Sequence, residues 1–220
     1  MSGGTSQNKP RIELYIGATG SGKGVSMDRR LAELRAPRLL LFDPRSQFPR
    51  SVPSTSSLAE LVRIVGRAGA SKPFRIRYVP DGRVDLKEAF GLACDVAFTA
   101  GNLLFGADEL SEMTTPSWAP PQWRRVVTQG RLVGLHVMVA AQRPALIDKT
   151  VLSGCTYVRC FTLRFANDQR VMAELLGVPL ASVRELATIE GAKATTIAFI
   201  ERDFRTGQRR ADTIRLRASA

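Results

Sequence analysis

The stretch Gly17-Ala18-Thr19-Gly20-Ser21-Gly22-Lys23 lies between a short apolar segment, residues 12–16, and a segment with helical periodicity, residues 25–34. A strand, a glycine-rich turn and a lysine that opens a helix form the arrangement in which backbone N–H groups surround a phosphate. The helix N-terminus contributes a partial positive charge, and Lys23 contributes a mobile charge for the β- and γ-phosphates. The residues predicted to hold a nucleotide are Gly17, Ala18, Thr19, Gly20, Ser21, Gly22, Lys23, Gly24 and Val25.

The residue after the lysine departs from this pattern. A Ser or Thr normally stands there and binds Mg²⁺ through its hydroxyl, whereas this chain has Gly24. The hydroxyls of Thr19, Ser21 and Ser26 are near in sequence, but none has the usual position. Two alternatives follow: other groups and water hold the ion, or hydrolysis is weak. Glycine in the first helical turn also costs about 1 kcal/mol of helix propensity.

Two acids and an amide follow later apolar segments. Asp108 and Glu109 come directly after residues 102–107, and Gln142 comes directly after residues 135–141. A carboxylate at a strand end beside a phosphate-binding loop holds the Mg²⁺ shell, so Asp108 is the predicted metal residue. Glu109 is the predicted general base for the attacking water, and Gln142 is predicted to sense the γ-phosphate and position that water. A solvated acidic turn and a plain strand-ending turn are the alternatives.

The composition indicates a globular protein with a strongly basic balance. The chain has 220 residues, of which 44% are hydrophobic, and a net charge of +12 that comes mostly from arginine. Such an excess favours a polyanionic partner, with nucleic acid the first candidate, although a host with arginine-rich codons would produce the same balance. No apolar run reaches about 18 residues, so no membrane-spanning helix is expected.

The remaining composition indicates one domain in a cytosolic protein. Residues 1–10 are polar and glycine-rich, so they are predicted to form a flexible tail rather than a signal peptide, and residues 11–220 a single domain. Three cysteines without metal-binding spacing are expected to be reduced and buried in the core. The only histidine, His136, lies in an apolar strand and is expected to be packed rather than catalytic.

Strands and helices alternate along the chain, which predicts a parallel sheet between layers of helices. Strands are predicted at 12–16, 38–42, 74–79, 102–107, 135–141 and 157–163, and helices at 25–34, 57–68, 85–98, 123–132 and 167–176. Residues 195–202 and 210–216 are predicted to form a C-terminal β-hairpin. The predicted fold class is therefore α/β, a P-loop NTPase of the RecA/ASCE-like type.

Five stretches, in this order, resemble the FtsK–HerA superfamily of P-loop ATPases that pump DNA. They are GATGSGKG (17–24), LLLFDPRSQF (39–48), NLLFGADEL (102–110), GRLVGLHVMVAAQRPALID (130–148) and LRFANDQRVMAELLG (163–177). The fourth stretch is the most specific, because that family has a Gly-x-His strand that ends in Gln-Arg-Pro. The resemblance covers roughly residues 11–177, most of the chain.

The resemblance implies an ATPase that uses ATP and Mg²⁺ and forms a homo-oligomeric ring, usually of six subunits, around double-stranded DNA. An arginine of the next subunit would complete each site. The matching position is Arg170, and Arg131 is a second candidate. The chain also resembles the genome-packaging ATPases of tailless viruses with an internal membrane, which implies action in the host cytoplasm or on the virion, with capsid vertex proteins as partners.

Three functions are open at this point. The first is an ATP-driven translocase of double-stranded DNA that packages a viral or phage genome. The second is a phage assembly or secretion ATPase of the zonula occludens toxin type, a group that normally carries a membrane helix. The third is a nucleotide- and DNA-binding module that hydrolyses ATP weakly, and the reason to consider it is Gly24. The residues predicted to contact DNA phosphates in the first case are Arg45, Arg50, Arg75, Arg77 and the loop around Trp118.

Overall fold

The structure, a computed structural model, describes residues 9–192 and 194–217. The predicted tail at 1–10 lies almost wholly outside the described residues, as does the end of the chain at 218–220. The strands are β1 (Arg11–Ile16), β2 (Arg38–Phe42), β3 (Ser54–Thr55), β4 (Phe74–Tyr78), β5 (Leu104–Ala107), β6 (His136–Ala141), β7 (Tyr157–Cys160), β8 (Thr188–Glu190), β9 (Ala194–Asp203) and β10 (Arg209–Arg217).

The helices end where their capping residues require. Ser57 accepts a hydrogen bond from the N–H of Glu60 at the start of the second helix, and Gly177, with a φ of 67°, ends the seventh. The helices are α1 (Lys23–Leu34), α2 (Leu58–Ala68), α3 (Leu86–Ala100), α4 (Leu110–Met113), α5 (Pro121–Gln129), α6 (Lys149–Gly154), α7 (Ala166–Leu176) and α8 (Leu180–Arg184), with 3₁₀ turns at Gly130–Val133 and Pro144–Leu146.

The described strands form one sheet in the order β10-β9-β7-β1-β6-β5-β2-β4-β3, with β8 paired to β9. The seven strands from β7 to β3 run parallel, and β8, β9 and β10 pair antiparallel. β6 lies between β1 and β5, so the chain leaves all three strands at the same edge of the sheet. That edge is where open α/β sheets bind ligands. The predicted α/β fold is confirmed, and one domain over 11–220 stays a prediction.

The central strands are buried on both faces because helices cover both sides. Leu40 of β2 belongs to the apolar cluster on one face, whereas Leu39 and Leu41 belong to the cluster on the other face. This alternation is the two-residue period of a strand. A strand buried on both faces has a continuous apolar sequence, which is why residues 38–42 could be recognised in advance.

The structure differs from the predicted elements mainly in short segments. The helix predicted at 123–132 begins at Pro121, since proline suits the first turn, and its last residues form the 3₁₀ turn Gly130–Val133. Five elements were not predicted because each is too short to show a repeat: β3, β8, α4, α6 and α8. His136 is mostly buried, and its Nε2 lies 2.9 Å from Oε1 of Glu13, at the opposite end of β6 from Gln142.

Two further expectations concern the cysteines and the membrane. The thiols of Cys94, Cys155 and Cys160 are buried and unpaired, and burial raises the pKa of each of them. Among the helices of the described residues, none has both the length and the apolar character that crossing a bilayer requires.

Candidate active site

The glycine-rich loop after β1 is attached to the ends of two neighbouring strands. The N–H of Gly17 donates to the carbonyl of Ala141 (3.2 Å), and the N–H of Ala18 donates to the carbonyl of Thr162 (2.9 Å). A Cβ on Gly17 would lie 2.7 Å from the Cβ of Phe161, closer than real side chains approach. Glycine is therefore required there for the loop to lie against the sheet.

The loop ends in a glycine that opens α1. Gly22 is the N-cap of α1 with a φ of 98°, a left-handed conformation that favours glycine. Lys23 is the first residue of the helix, and its Nζ donates to the carbonyl of Ala18 (3.3 Å), so the side chain folds back over the loop. Burial lowers the pKa of Lys23, and the negative charges of Glu109 and Asp108 oppose that shift.

The two acids lie at the end of β5. Glu109 has a left-handed backbone (φ 56°, ψ 53°), which is rare for a residue with a side chain and is typical of functional sites. Its buried carboxylate accepts hydrogen bonds from the hydroxyl of Ser111 (2.7 Å) and the N–H of Gln142 (3.2 Å). Burial raises the pKa of Asp108, the charge of Glu109 raises it further, and Lys23 lowers it.

Gln142, at the end of β6, connects the loop to the acids. Its Nε2 donates to Oε2 of Glu109 (2.5 Å), and its Oε1 accepts a hydrogen bond from the hydroxyl of Thr19 (2.7 Å). The phosphate-binding loop, the end of β6 and the end of β5 are thus joined by one series of hydrogen bonds. The residues predicted from three separate parts of the sequence lie side by side at this edge of the sheet.

The loop and the acids surround a cavity of about 470 Å³, a volume in the range of ligand pockets. The C-terminal strands close its other side, where Thr195, Ile197 and Leu216 line the wall. A Cβ on Gly22 would lie 2.8 Å from Cδ1 of Ile197, so β9 packs directly against the loop. Sequence patterns predicted the hairpin but contained no signal that it would contact the loop.

Asp28 is a residue of this cavity that the motifs did not identify. It lies on α1, four residues after Gly24, and its half-buried side chain lines the same cavity as Asp108. Burial, together with the nearby charges of Asp43 and Asp108, raises the pKa of Asp28 to about 6. The available signal was the spacing of four residues, which places positions 24 and 28 on one face of a helix.

The Asp28 carboxylate is expected to destabilise the fold at neutral pH. Its pKa of about 6 exceeds the ordinary 3.8, so its penalty is absent below pH 3.8 and develops as the pH rises through 6. We expect Asp28→Asn to stabilise the protein at pH 8 by about 1 kcal/mol, after allowance for solvent screening, or about 2–4 °C in melting temperature. Thermal unfolding in EDTA between pH 4 and pH 8 measures the effect.

The matched control for this measurement is Glu33→Gln, because Glu33 is exposed on the same helix and the substitution removes the same charge. It should leave the melting temperature at pH 8 almost unchanged. A gain for Asp28→Asn that is equally large at pH 4 and pH 8 would contradict the assigned cause.

The oxygen donors of the cavity fit the Mg²⁺ that its motifs imply. Asp28 and Asp108 both line the cavity, and carboxylate oxygens are the ligands that Mg²⁺ prefers. Among residues 9–192 and 194–217, no group of three His, Cys, Asp or Glu side chains could hold a metal by itself. One or two carboxylates completed by phosphate oxygens and water is the usual arrangement for Mg²⁺.

Several predicted arginines lie elsewhere than expected. Arg77 is buried, with NH1 donating to Oδ2 of Asp43 (2.8 Å) and Nε to the carbonyl of Val52 (2.9 Å), so its prediction as a DNA contact is wrong. Arg45 lines the cavity and pairs with Glu112. The structural reason is that the segment after β2 folds back over the edge of the sheet, which the local sequence does not show.

Arg131 and Arg170 are exposed and are not among the residues that line the cavity, so their assignment as trans-acting arginines stays a prediction. Arg143 was not predicted as a residue of the site. It donates through Nε to Oδ2 of the fully buried Asp168 (2.6 Å) and lies 3.8 Å from the ring centre of Phe165. These contacts hold the segment that follows Gln142 against the start of α7.

Comparisons with known proteins bear on the fold. No protein-family model matches the sequence. The structure is similar to the genome packaging NTPase B204 of Sulfolobus turreted icosahedral virus 2 in complex with AMPPCP, with a TM-score of 0.69 and 16% sequence identity over 91% of this chain and 96% of that one. The protein has the P-loop NTPase fold. This P-loop protein also resembles the viral packaging ATPases, as its sequence predicted.

Two further similarities concern a phage protein and a toxin. The P-loop protein is 25% identical over 176 residues to Protein P9 of Pseudoalteromonas phage PM2, which covers 80% of this chain and 79% of P9. It is also similar in structure to the N-terminal domain of zonular occludens toxin from Neisseria meningitidis, with a TM-score of 0.51 and 12% identity over 93% of this chain and 94% of that one.

Proposed function

We propose that this P-loop protein is an ATPase that couples ATP hydrolysis to the movement of double-stranded DNA, packaging a viral or phage genome into a capsid. The observation that carries the proposal is the hydrogen-bonded series Thr19–Gln142–Glu109, which joins the phosphate-binding loop to an acid at a nearby strand end. The similarity to B204, a genome packaging NTPase, and to a phage protein supports the viral setting. The site of action is the host cytoplasm or the virion, with capsid vertex proteins as partners.

The residues around the cavity share the work of hydrolysis. Lys23 binds the β- and γ-phosphates, and the backbone N–H groups of the loop surround them. Glu109 accepts a proton from the attacking water, and Gln142 orients both Glu109 and that water. Mg²⁺, when bound, neutralises charge on the phosphates, and Asp108 is the residue that would hold it.

The hydrogen bonds of the pocket also give Gln142 a means of sensing the nucleotide. Lys23 and Thr19 donate to Ala18 and Gln142 within the protein. A triphosphate offers both donors charged acceptors, which form hydrogen bonds roughly twice as strong as neutral ones. Once Thr19 turns to a phosphate, Oε1 of Gln142 becomes available to the attacking water, while Nε2 still holds Glu109.

The active form in this proposal is a homo-oligomeric ring, with six subunits expected from the FtsK–HerA resemblance. ATP lies between neighbours, and Arg170 on α7 is the arginine that stabilises the transferred phosphoryl group of the next subunit, with Arg131 as the second candidate. The exposure of both side chains supports this assignment, because a trans-acting arginine must reach beyond its own subunit.

DNA binding is expected to depend steeply on salt. The net charge of +12 supports contacts to DNA phosphates, which release counterions. For about six to ten contacts, affinity should fall about 10³- to 10⁵-fold between roughly 50 and 200 mM salt. Fluorescence anisotropy of a labelled duplex measures this. ATP turnover with and without the duplex, beside the mass of the assembled particle, tests the coupling to DNA.

Substitution of one exposed arginine sharpens the DNA test. Arg50 is exposed, so Arg50→Ala should lower the salt slope by about one if it contacts a phosphate. If the duplex does not change ATP turnover and salt does not change the affinity for the duplex, translocation is contradicted. The proposal of nucleotide hydrolysis would still stand.

A second candidate is a phage assembly or secretion ATPase. The structural similarity to the N-terminal domain of zonular occludens toxin favours it. Such an ATPase would be recovered with membranes from cells, and its turnover would be independent of double-stranded DNA. A third candidate is a nucleotide- and DNA-binding module that hydrolyses ATP weakly, and it rests on Gly24. A Gly24→Ser variant that hydrolyses ATP where the parent does not would support it.

A further inference from the structure

The missing side chain at position 24 leaves a gap in the wall of the cavity. Gly24 is exposed and lines the cavity, and a Cβ built on it would meet no atom within 4 Å. Thr19 donates to Gln142 (2.7 Å) and turns to a phosphate in the proposed function, and Ser26 accepts from NH1 of Arg159 (2.6 Å). Ser21 has no hydrogen-bond partner, but its hydroxyl is buried and it is not among the residues that line the cavity. These three hydroxyls are therefore not placed to replace the one that usually binds Mg²⁺.

Asp28 is placed to fill that gap. It lies one turn after Gly24 on α1, a rise of about 6 Å along the helix axis. Side chains on a helix lean toward its N-terminus, so a residue covers the surface of the turn before its own. The Asp28 side chain therefore leans toward position 24, where no side chain stands in its way.

The charges of the described residues around the cavity also favour a cation. Among them, two basic residues, Lys23 and Arg45, and four acidic ones line it, the acids being Asp28, Asp108, Glu109 and Glu190. Arg45 is already paired with Glu112. A triphosphate adds further negative charge, which bare carboxylates would repel unless a divalent ion lies between them.

Among the described residues, no hydrogen-bond donor or ion-pair partner contacts the Asp28 carboxylate, and the nearby charges of Asp43 and Asp108 have the same sign. Asp43, another acid near Asp28, forms its hydrogen bonds inside the fold. Its carboxylate accepts from Arg77 and from the N–H groups of Gln47 (2.7 Å) and Phe48 (3.2 Å). Glu109 is occupied by Gln142 and Ser111. Glu190 is exposed at the end of β8, so Asp28 and Asp108 are the two half-buried cavity carboxylates left to face a bound ion.

We propose that Asp28 is a second protein ligand to the Mg²⁺ of the bound nucleotide, acting with Asp108 in place of the absent Ser or Thr hydroxyl. The inference rests on the proposed nucleotide-binding function and deepens it. It also gives Gly24 a role, because the absence of a side chain at position 24 leaves open the space toward which Asp28 leans. The metal shell would then consist of two carboxylates, phosphate oxygens and water, an ordinary set for Mg²⁺.

The test uses Mn²⁺ as the probe, detected by electron paramagnetic resonance, with a non-hydrolysable ATP analogue. The proteins are the parent, Asp28→Asn, the exposed-charge control Glu33→Gln, and the double variant Gly24→Ser/Asp28→Asn. Asp28→Asn should weaken Mn²⁺ binding in the ternary complex about 10- to 100-fold. Binding of the analogue without metal, measured in EDTA, should be unchanged or tighter, and Glu33→Gln should bind Mn²⁺ as the parent does.

The double variant provides the rescue. A serine at position 24 has room for its side chain, and its hydroxyl can bind the ion. The double variant should therefore bind Mn²⁺ about tenfold more tightly than Asp28→Asn. If Asp28→Asn binds Mn²⁺ with the parent's affinity, the inference is overturned while the proposed function stands. If the parent itself binds no analogue in EDTA or with metal, the proposed function fails, and this inference fails with it. Thermal melts of every variant establish that each is folded.

Discussion

Glu109→Gln is expected to lower ATP turnover by about 100- to 1000-fold while nucleotide binding remains close to that of the parent. Glu109 is buried and held by the main-chain N–H and Nε2 of Gln142, so its carboxylate has a defined orientation at the cavity. Glutamine keeps the size of the side chain but cannot accept a proton, and loss of a general base typically costs a factor of 10² to 10⁴. Steady-state ATPase assays and calorimetric binding of a non-hydrolysable analogue measure the two effects.

The control for this substitution is Glu88→Gln, an exposed acid near the start of α3 that does not line the cavity. It should leave turnover and binding unchanged. If Glu109→Gln hydrolyses ATP at the parent rate, Glu109 is not the base. If binding is lost together with turnover, the acid has a structural role in the pocket rather than a chemical one.

Arg77→Ala is expected to destabilise the protein by about 3–5 kcal/mol, the largest stability effect that we predict. Arg77 and Asp43 form a buried ion pair at 2.8 Å, and the arginine also donates to the carbonyl of Val52. Removing the arginine leaves the Asp43 charge buried with only the main-chain N–H groups of Gln47 and Phe48 as donors, which costs far more than the intact pair contributes. Urea unfolding, or a fall in melting temperature of about 10 °C, measures the loss.

The matched control is Arg75→Ala, two residues earlier on the same strand, where the side chain is exposed. Its effect should stay within about 1 kcal/mol. Arg77→Ala should also weaken nucleotide binding, because Asp43 holds the segment whose Gln47 and Phe48 line the cavity. A loss of stability below 1 kcal/mol for Arg77→Ala would show that Asp43 finds solvent or another partner.

The contrast between Arg75 and Arg77 shows that net charge alone does not identify the arginines that can contact DNA. Both were predicted as DNA contacts from the basic composition, and both lie on β4. Successive side chains on a strand alternate between faces, but these two share a face and differ only in what covers them. The segment after β2 covers Arg77 and leaves Arg75 open to solvent.

Much of the site could be predicted because its signals are local. A glycine with a left-handed backbone, a lysine that opens a helix and acids that end an apolar strand are recognised from neighbouring residues. The parallel sheet followed from continuous apolar segments, and its strand ends brought Lys23, Asp108, Glu109 and Gln142 to one edge. The part that Gln142 plays in holding Glu109 could not be predicted, because a hydrogen bond between residues 33 apart depends on strand order.

The sequence by itself determined the longer strands and helices, the glycine loop and the identity of most groups that face the cavity. Only the tertiary structure decided which charged side chains pair with each other inside the fold and which remain available to a ligand. Arg77 is neutralised by Asp43, Asp28 keeps an unbalanced charge, and Ile197 of β9 closes the loop at Gly22. The physical reason is that periodicity and spacing report on neighbours along the chain, whereas ion pairs, desolvation and cavity walls arise from segments that are distant in sequence and packed together in space.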